Sequence, residues 1–300
     1  MKKIIIYGAG DSGLYVAYYL INNPTFAGGV KIVGIIDKNL DLQCRKPYGI
    51  KVYNLESALQ LDYDLIIISV MDEKIKLEIF AELLLSGISK DRILFINRTA
   101  FDILRQGDSR FDFVRRCKEL NLNGLEGNIA EAGVYTGEFA YRLNGLFYSK
   151  KLYLFDTFAG FDERDVLSEV SLGDDAFVYS VFTNERVFQQ DENAVENVMK
   201  KMPFPENIIV KKGYIPDTFS GIDDKFCFVN LDMDLYQPML EGCKFFWHKL
   251  VDGGMMMLHD YYHNSLLGVR KAVTDFEIWL GQEVIKIPAM SAGSLLIIKK

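Results

Sequence analysis

A chain of 300 residues is long for one compact domain and comfortable for two. Its hydrophobic fraction of 49% supplies buried cores, while a formal net charge of −7 excludes the broad basic surface that nucleic acid requires. No apolar run approaches the roughly 18 residues needed to span a bilayer, so membrane insertion is not expected. In chain order, Lys3–Tyr7 reads as a short β-branched strand and Leu14–Ile21 as a helix. Lys31–Ile36 and Leu65–Val70 follow as strands, then a helix over Ile75–Leu85 and a strand over Ile93–Ile96. Continuous apolar strands alternating with amphipathic helices predict a parallel sheet covered on both faces.

Phe101–Asn123 is charged and helix-like, with Gly107-Asp108 as a break, which sets the expected domains at 1–107 and 108–300. A second series of strands is expected at Asn128–Ala132, Leu152–Phe155, Ile208–Val210, Phe226–Leu231 and Met255–Leu258. Val284–Ile287 and Ser294–Ile298 flank Ser291-Ala292-Gly293, which suits a hairpin and predicts a closing antiparallel pair. The fold class is therefore α/β with two Rossmann-like domains. Asp162–Gln190 shows no clear period and reads as a lid over the site or as a surface excursion. The apolar run after Met1-Lys2-Lys3 is interrupted by Gly8, Gly10, Asp11 and Gly13, so it does not read as a secretory signal. Cys44, Cys117, Cys227 and Cys243 lack zinc or redox spacing and read as reduced thiols of a cytoplasmic protein.

Gly8-Ala9-Gly10-Asp11-Ser12-Gly13 matches G-x-G-x-x-G between a strand and a helix, and Asp37 ends the next strand. Such glycines let a phosphate approach a helix N-terminus, and the acid can hold ribose hydroxyls. The same glycines can also be kept for packing alone. Lys3–Gly13, Val33-Gly34-Ile35-Ile36-Asp37 and Asp64-Leu65-Ile66-Ile67-Ile68 resemble the N-terminal nucleotide-binding domain of nucleotide-sugar dehydratases. That resemblance implies NAD or a nucleotide-sugar as ligand. No Tyr-x-x-x-Lys pair follows, which leaves an oxidoreductase or epimerase without an acid/base pair.

In the second series, Glu131-Ala132-Gly133-Val134-Tyr135-Thr136-Gly137-Glu138 lies at a strand-to-helix turn. Gly133 and Gly137 free the backbone to approach a ligand, and Glu131 can bind a polar or cationic group. Asp156 ends the next strand, beside the crevice where open α/β sheets bind ligands, and suits a ribose diol or a turn cap. Asp232 and Asp234 follow a strongly apolar strand and, two apart in an extended chain, face one side. His259 and Asp260 end the neighbouring strand. Three carboxylates at one rim call for a cation, and oxygen donors suit Mg²⁺; scattered loop and cap acids are the alternative.

Four phrases carry a second resemblance, covering roughly residues 108–300. They are Gly127–Val134, Leu154–Phe161, Asp232-Met233-Asp234-Leu235-Tyr236, and Gly253-Gly254 with His259-Asp260-Tyr261, continued by Gly268–Val273. Together they resemble the macrocin O-methyltransferase family, class I enzymes that methylate sugar hydroxyls with S-adenosylmethionine and magnesium. The resemblance implies that Glu131, Gly133 and Asp156 hold the cofactor, with Gly137 on the same turn, and that Asp232 and Asp260 are metal ligands, with His259 a further candidate. It also implies a small-molecule sugar or nucleotide-sugar acceptor, and a family that commonly assembles into homo-oligomers. The family has two adjacent acids where this chain has His259-Asp260. Asp234 or His259 is placed to accept the hydroxyl proton, the imidazole being the better base near pH 7. His248 reads as a helix-surface residue and His263 as a weak substrate contact. The rival reading is a non-catalytic module that binds a nucleotide-sugar.

Overall fold

The computed structural model describes residues 1–22, 29–96, 109–170, 172, 190, 192–263, 266–289 and 293–300. The chain divides into two compact units, Met1–Gly107 with Lys201–Phe204, and Asp108–Lys200 with Pro205–Lys300. Among the described residues, no helix is long and apolar enough to cross a membrane.

In the first unit, strands β1 (Lys2–Tyr7), β2 (Val30–Ile36), β3 (Val52–Tyr53), β4 (Leu65–Ile68) and β5 (Ile93–Phe95) form a sheet of order β3-β2-β1-β4-β5. Every pairing is parallel. Its helices are α1 (Asp11–Asn22), α2 (Leu40–Gln43), α3 (Leu55–Ala58) and α4 (Glu73–Leu85). Isoleucines of β1, β2 and β4 meet Ile79 and Leu83 of α4 in one core. Helix starts are set by side-chain caps: Asn39, Asn54 and Asp72 each accept a backbone N–H of their own first turn.

The second unit contains helices α5 (Ser109–Cys117), α6 (Ala140–Leu146), α7 (Glu163–Val170), α8 (Ala194–Lys201), α9 (Tyr236–Lys249) and α10 (Leu267–Leu280). Its strands are β6 (Asn128–Ala132), β7 (Leu152–Asp156), β8 (Ile208–Lys212), β9 (Phe226–Leu231), β10 (Leu250–Leu258), β11 (Ile285–Ala289) and β12 (Ser294–Ile298). The sheet order is β11-β12-β10-β9-β6-β7-β8. Five strands run parallel, and β12 lies antiparallel between β10 and β11, as the closing pair was expected to do. Phe155, Phe226 and Phe246 pack edge to face with centroids 5.3–5.6 Å apart, joining the sheet to α9.

Two expectations need correction. Strand β10 begins at Leu250, five residues before Met255, because the ladder to β9 shifts register over the segment holding Gly253 (φ 77°) and Gly254. Part of Asp162–Gln190 is helix α7, whose buried face carries Asp165, Val166 and Glu169. Acids on the inward face hide the apolar period that would announce a helix. Residues 171 and 173–189 of that proposed lid lie outside the described residues, as do 290–292 of the hairpin turn and 101–108 of the linker.

Candidate active site

Strand β6 is flanked by β9 and β7, so the chain reverses its winding direction at β6/β9, where open α/β sheets leave a crevice. A cavity of about 370 Å³ opens there. It is lined by residues at the ends of β6 and β7 and in the segments that follow β6, β7, β8 and β9, and by Arg110 of α5. Its acids are Glu131, Glu138, Asp156, Asp162, Asp165, Asp232 and Asp234, and among the described residues Arg110 is its only basic side chain.

Glu131 is 1% exposed. Its cross-strand neighbour Asn230 donates to Oε1 at 3.1 Å, while Oε2 has no hydrogen-bond partner. Burial pushes this carboxyl well above the usual range, with the Arg110 charge pulling the other way. A buried polar atom facing a cavity without a partner is a place for a ligand donor.

Gly133 has φ 83°, and a Cβ there would lie 1.9 Å from the Asp232 carbonyl oxygen. Only glycine allows the β6 turn and the β9 end to approach so closely. Asp156 holds that turn in place. Its Oδ2 accepts from the Val134 and Tyr135 amides at 2.6 and 2.8 Å, and Oδ1 accepts from Phe158 N at 2.6 Å. The carboxylate is thus a backbone anchor for two turns as well as a cavity wall. Gly137 (φ 81°) closes the turn by donating to the Val134 carbonyl at 2.8 Å.

The first unit repeats the device. Gly8 (φ 114°) donates to the Ile36 carbonyl at 2.8 Å, and Asp37 Oδ2 accepts from Ala9 N at 2.7 Å. A Cβ on Gly13 would lie 1.7 Å from the Gly8 carbonyl oxygen, so Gly13 serves packing, whereas one on Gly10 meets nothing within 4 Å.

Asp232, Asp234, His259 and Asp260 each offer a ligand atom, all within 4.8 Å of one another. Register explains the meeting: Leu231 of β9 pairs with Leu258 of β10, so the residues that follow emerge side by side. The chain is not extended here, as Asp234 (φ 62°) and Asp260 (φ 57°) are both left-handed. His259 Nδ1 lies 2.9 Å from Asp232 Oδ1 and 2.8 Å from Asp260 Oδ2. Burial disfavours a charged ring, but bonds to both carboxylates outweigh it and raise the imidazole to about 10. Burial opposes ionisation of Asp232, yet Arg110 and His259 hold its carboxyl below the usual range. Asp234 is pushed up by burial and by the charge of Asp232. Asp234 lines the cavity, and His259 is not among its lining residues. His248 is exposed near the end of α9, and His263 is exposed, its amide bonded to the Asp260 carbonyl at 2.9 Å.

Sequence reasoning missed two residues. Arg110 Nη1 donates to Asp232 Oδ2 at 2.5 Å, and its guanidinium lies 4.0 Å from the Phe139 ring centroid. Glu169 of α7, 2% exposed, accepts from Tyr236 N of α9 at 2.7 Å and from Gly268 N of α10 at 2.8 Å. One carboxylate thereby caps the two helices that follow the acid-bearing turns. A Cβ on Gly268 would lie 2.0 Å from Glu169 Oε2, so the glycine makes room for it. Glu169→Ala is expected to destabilise the protein by about 2–4 kcal/mol, the loss of two charge-assisted caps. Chemical denaturation checks this, and a loss below about 0.5 kcal/mol would show that the caps are replaceable by water.

A parallel sheet with one antiparallel strand inserted next to its edge, a glycine turn after its first strand and an acid ending its second is the arrangement of a class I methyltransferase. The chain belongs to the macrocin-O-methyltransferase (TylF) family, whose profile matches residues 92–289. Residues 1–94 match a separate family described as C2185-like, N-terminal. Among solved structures, the chain is similar to the O-methyltransferase NovP, with 19% identity over 65% of this chain and 81% of that one (TM-score 0.54). It is also similar to CalS11, a calicheamicin methyltransferase, with 16% identity over 76% of this chain and 94% of that one (TM-score 0.51). No curated protein sequence matches.

Proposed function

We infer that the second unit transfers a methyl group from S-adenosylmethionine to a sugar hydroxyl, aided by a divalent cation held by Asp232, Asp260 and His259. One observation carries the reading: Glu131 with its unpartnered Oε2, Asp156, Asp232 and Asp234 open into a single cavity. The residues fit both groups. A sulfonium and an ammonium suit a cavity walled by acids, and four ligand atoms within 4.8 Å suit a small cation. The imidazole among the carboxylates admits Mn²⁺ alongside Mg²⁺.

The sulfonium supplies an electrophilic methyl carbon, and the acceptor oxygen must be aligned behind it. A bound cation supplies positive charge that lowers the pKa of a hydroxyl. Asp234 faces the cavity and accepts the hydroxyl proton as the oxygen–carbon bond forms and the carbon–sulfur bond breaks. Glu131 and Asp156 orient the cofactor from the carboxyl ends of the neighbouring strands β6 and β7. The test is release of S-adenosylhomocysteine when the full-length protein is given S-adenosylmethionine and a panel of glycosides and nucleotide-sugars. Methylation of an acceptor hydroxyl is the expected result. Failure of calorimetry to detect either S-adenosylmethionine or S-adenosylhomocysteine would overturn it.

For the first unit, the reading is a nucleotide ligand, NAD or a nucleotide-sugar, bound beside Gly8, Gly10 and Gly13 with Asp37 at the ribose. Support comes from the turn fixed by Asp37 and from the open space at Gly10. Because nothing crowds Gly10, Gly10→Val should leave stability within about 1 kcal/mol. It should nevertheless weaken a bound nucleotide at least about tenfold by filling the space the pyrophosphate needs. Thermal shift against NAD and UDP-sugars measures both; unchanged affinity for a ligand that binds the wild type would place that ligand elsewhere.

A further inference from the structure

We propose that Arg110 changes partners as the site fills, neutralising Asp232 in the empty cavity and turning to the carboxylate of the cofactor's amino-acid end when that binds. This rests on the reading of the cavity as a site for S-adenosylmethionine and a divalent cation. The charge inventory requires a dedicated cation. Arg110 is the sole basic side chain, among the described residues, on a cavity that carries seven acids. The ammonium and sulfonium of the cofactor find opposite charges on such a wall; for its carboxylate, Arg110 is the one charge partner among the described lining residues. Two backbone donors of the glycine turn are already engaged, since the Val134 and Tyr135 amides bind Asp156.

The position of Arg110 is itself informative. It is carried by α5 and is one of the residues lining the cavity. The guanidinium rests over Phe139, another cavity residue, and a ring face lets a cation slide while keeping its contact. Asp232 meanwhile has both oxygens engaged, Oδ2 by Arg110 and Oδ1 by His259. The Arg110 charge on this carboxylate opposes a metal ion at the same group. If the cofactor draws Arg110 away, it vacates Oδ2, and the two ligands favour one another by linkage.

Calorimetry on full-length protein tests this with three probes: S-adenosylhomocysteine, decarboxylated S-adenosylmethionine, and Mn²⁺. Arg110→Gln should weaken S-adenosylhomocysteine roughly 10- to 100-fold, the worth of a charge-assisted hydrogen bond. Decarboxylated S-adenosylmethionine should change less than about threefold, a difference that a merely structural role would not produce. In the wild type, saturating S-adenosylhomocysteine should tighten Mn²⁺ about tenfold, within the usual span of coupling energies. In Arg110→Gln that coupling should vanish while Mn²⁺ alone binds more tightly than to the wild type. Arg110→Lys, which keeps the charge and loses the fork, should fall between the two and serves if the glutamine variant misfolds. Equal losses for both adenosyl probes, or no loss for S-adenosylhomocysteine, would overturn the proposal. Wild-type protein that binds neither adenosyl probe would instead overturn the cofactor reading beneath it.

Discussion

Asp232→Asn is expected to lower methyl transfer at least about a thousandfold, some 4 kcal/mol of barrier, while leaving S-adenosylhomocysteine bound. The substitution keeps the shape of the side chain and removes its charge. Asp232 is the residue where the two halves of the site meet: Arg110 holds one carboxylate oxygen, and His259 the other. An amide there cannot balance a divalent cation, so the acceptor hydroxyl loses the charge that acidifies it. The cofactor contacts assigned to Glu131 and Asp156 arise from β6 and β7 and survive. Chelation of the wild type should reproduce the variant, and added Mg²⁺ or Mn²⁺ should restore the wild type alone. Full activity of a chelated, metal-free preparation would remove the cation from the mechanism.

The second large effect is structural. Gly133→Ala should destabilise the protein by about 3 kcal/mol or more and abolish cofactor binding. Its Cβ would stand 1.9 Å from the Asp232 carbonyl oxygen, a backbone atom that cannot step aside without moving the β9 turn. The φ of 83° adds the strain of a left-handed alanine. Gly137→Ala is the informative comparison, because Gly137 has a similar φ of 81°. If both alanines reduce the denaturation midpoint equally, backbone conformation alone accounts for the loss, and the close approach at Gly133 is relieved elsewhere.

Much of this architecture could be read from the sequence because its strands are buried on both faces and therefore run continuously apolar. Phe226–Val229 is such a run, in a strand buried at every position through Leu231. The turns after β6, β7, β9 and β10 were legible for a different reason: acids and glycines directly after apolar strands mark the crevice of an open sheet. What escaped was tertiary. Strand β3 is two residues long, too short to show a period. Helix α7 was hidden because its inward face is acidic, with Asp165 accepting from the Tyr214 hydroxyl and Glu169 from two helix starts. Arg110 meets Asp232 across 122 residues of sequence, and no local pattern records such a pair. The assumption that Asp232 and Asp234 share a face because the chain is extended also gave way. They come together through the left-handed turn at Asp234.

Four of the five non-glycine residues with positive φ among the described residues, Tyr135, Phe158, Asp234 and Asp260, occupy the turns after β6, β7, β9 and β10. Each holds a conformation that disfavours an ordinary side chain by about 1–2 kcal/mol. In an engineering setting, selection for heat resistance would find the exposed Tyr135 early, since glycine or asparagine there relieves that strain. The same replacement would let the turn sample other shapes and blur the position of the Val134 and Tyr135 amides that Asp156 clasps. Thermal robustness and turnover are therefore set against each other at individual turn positions, and variants screened only for melting temperature would drift toward a tougher, slower enzyme.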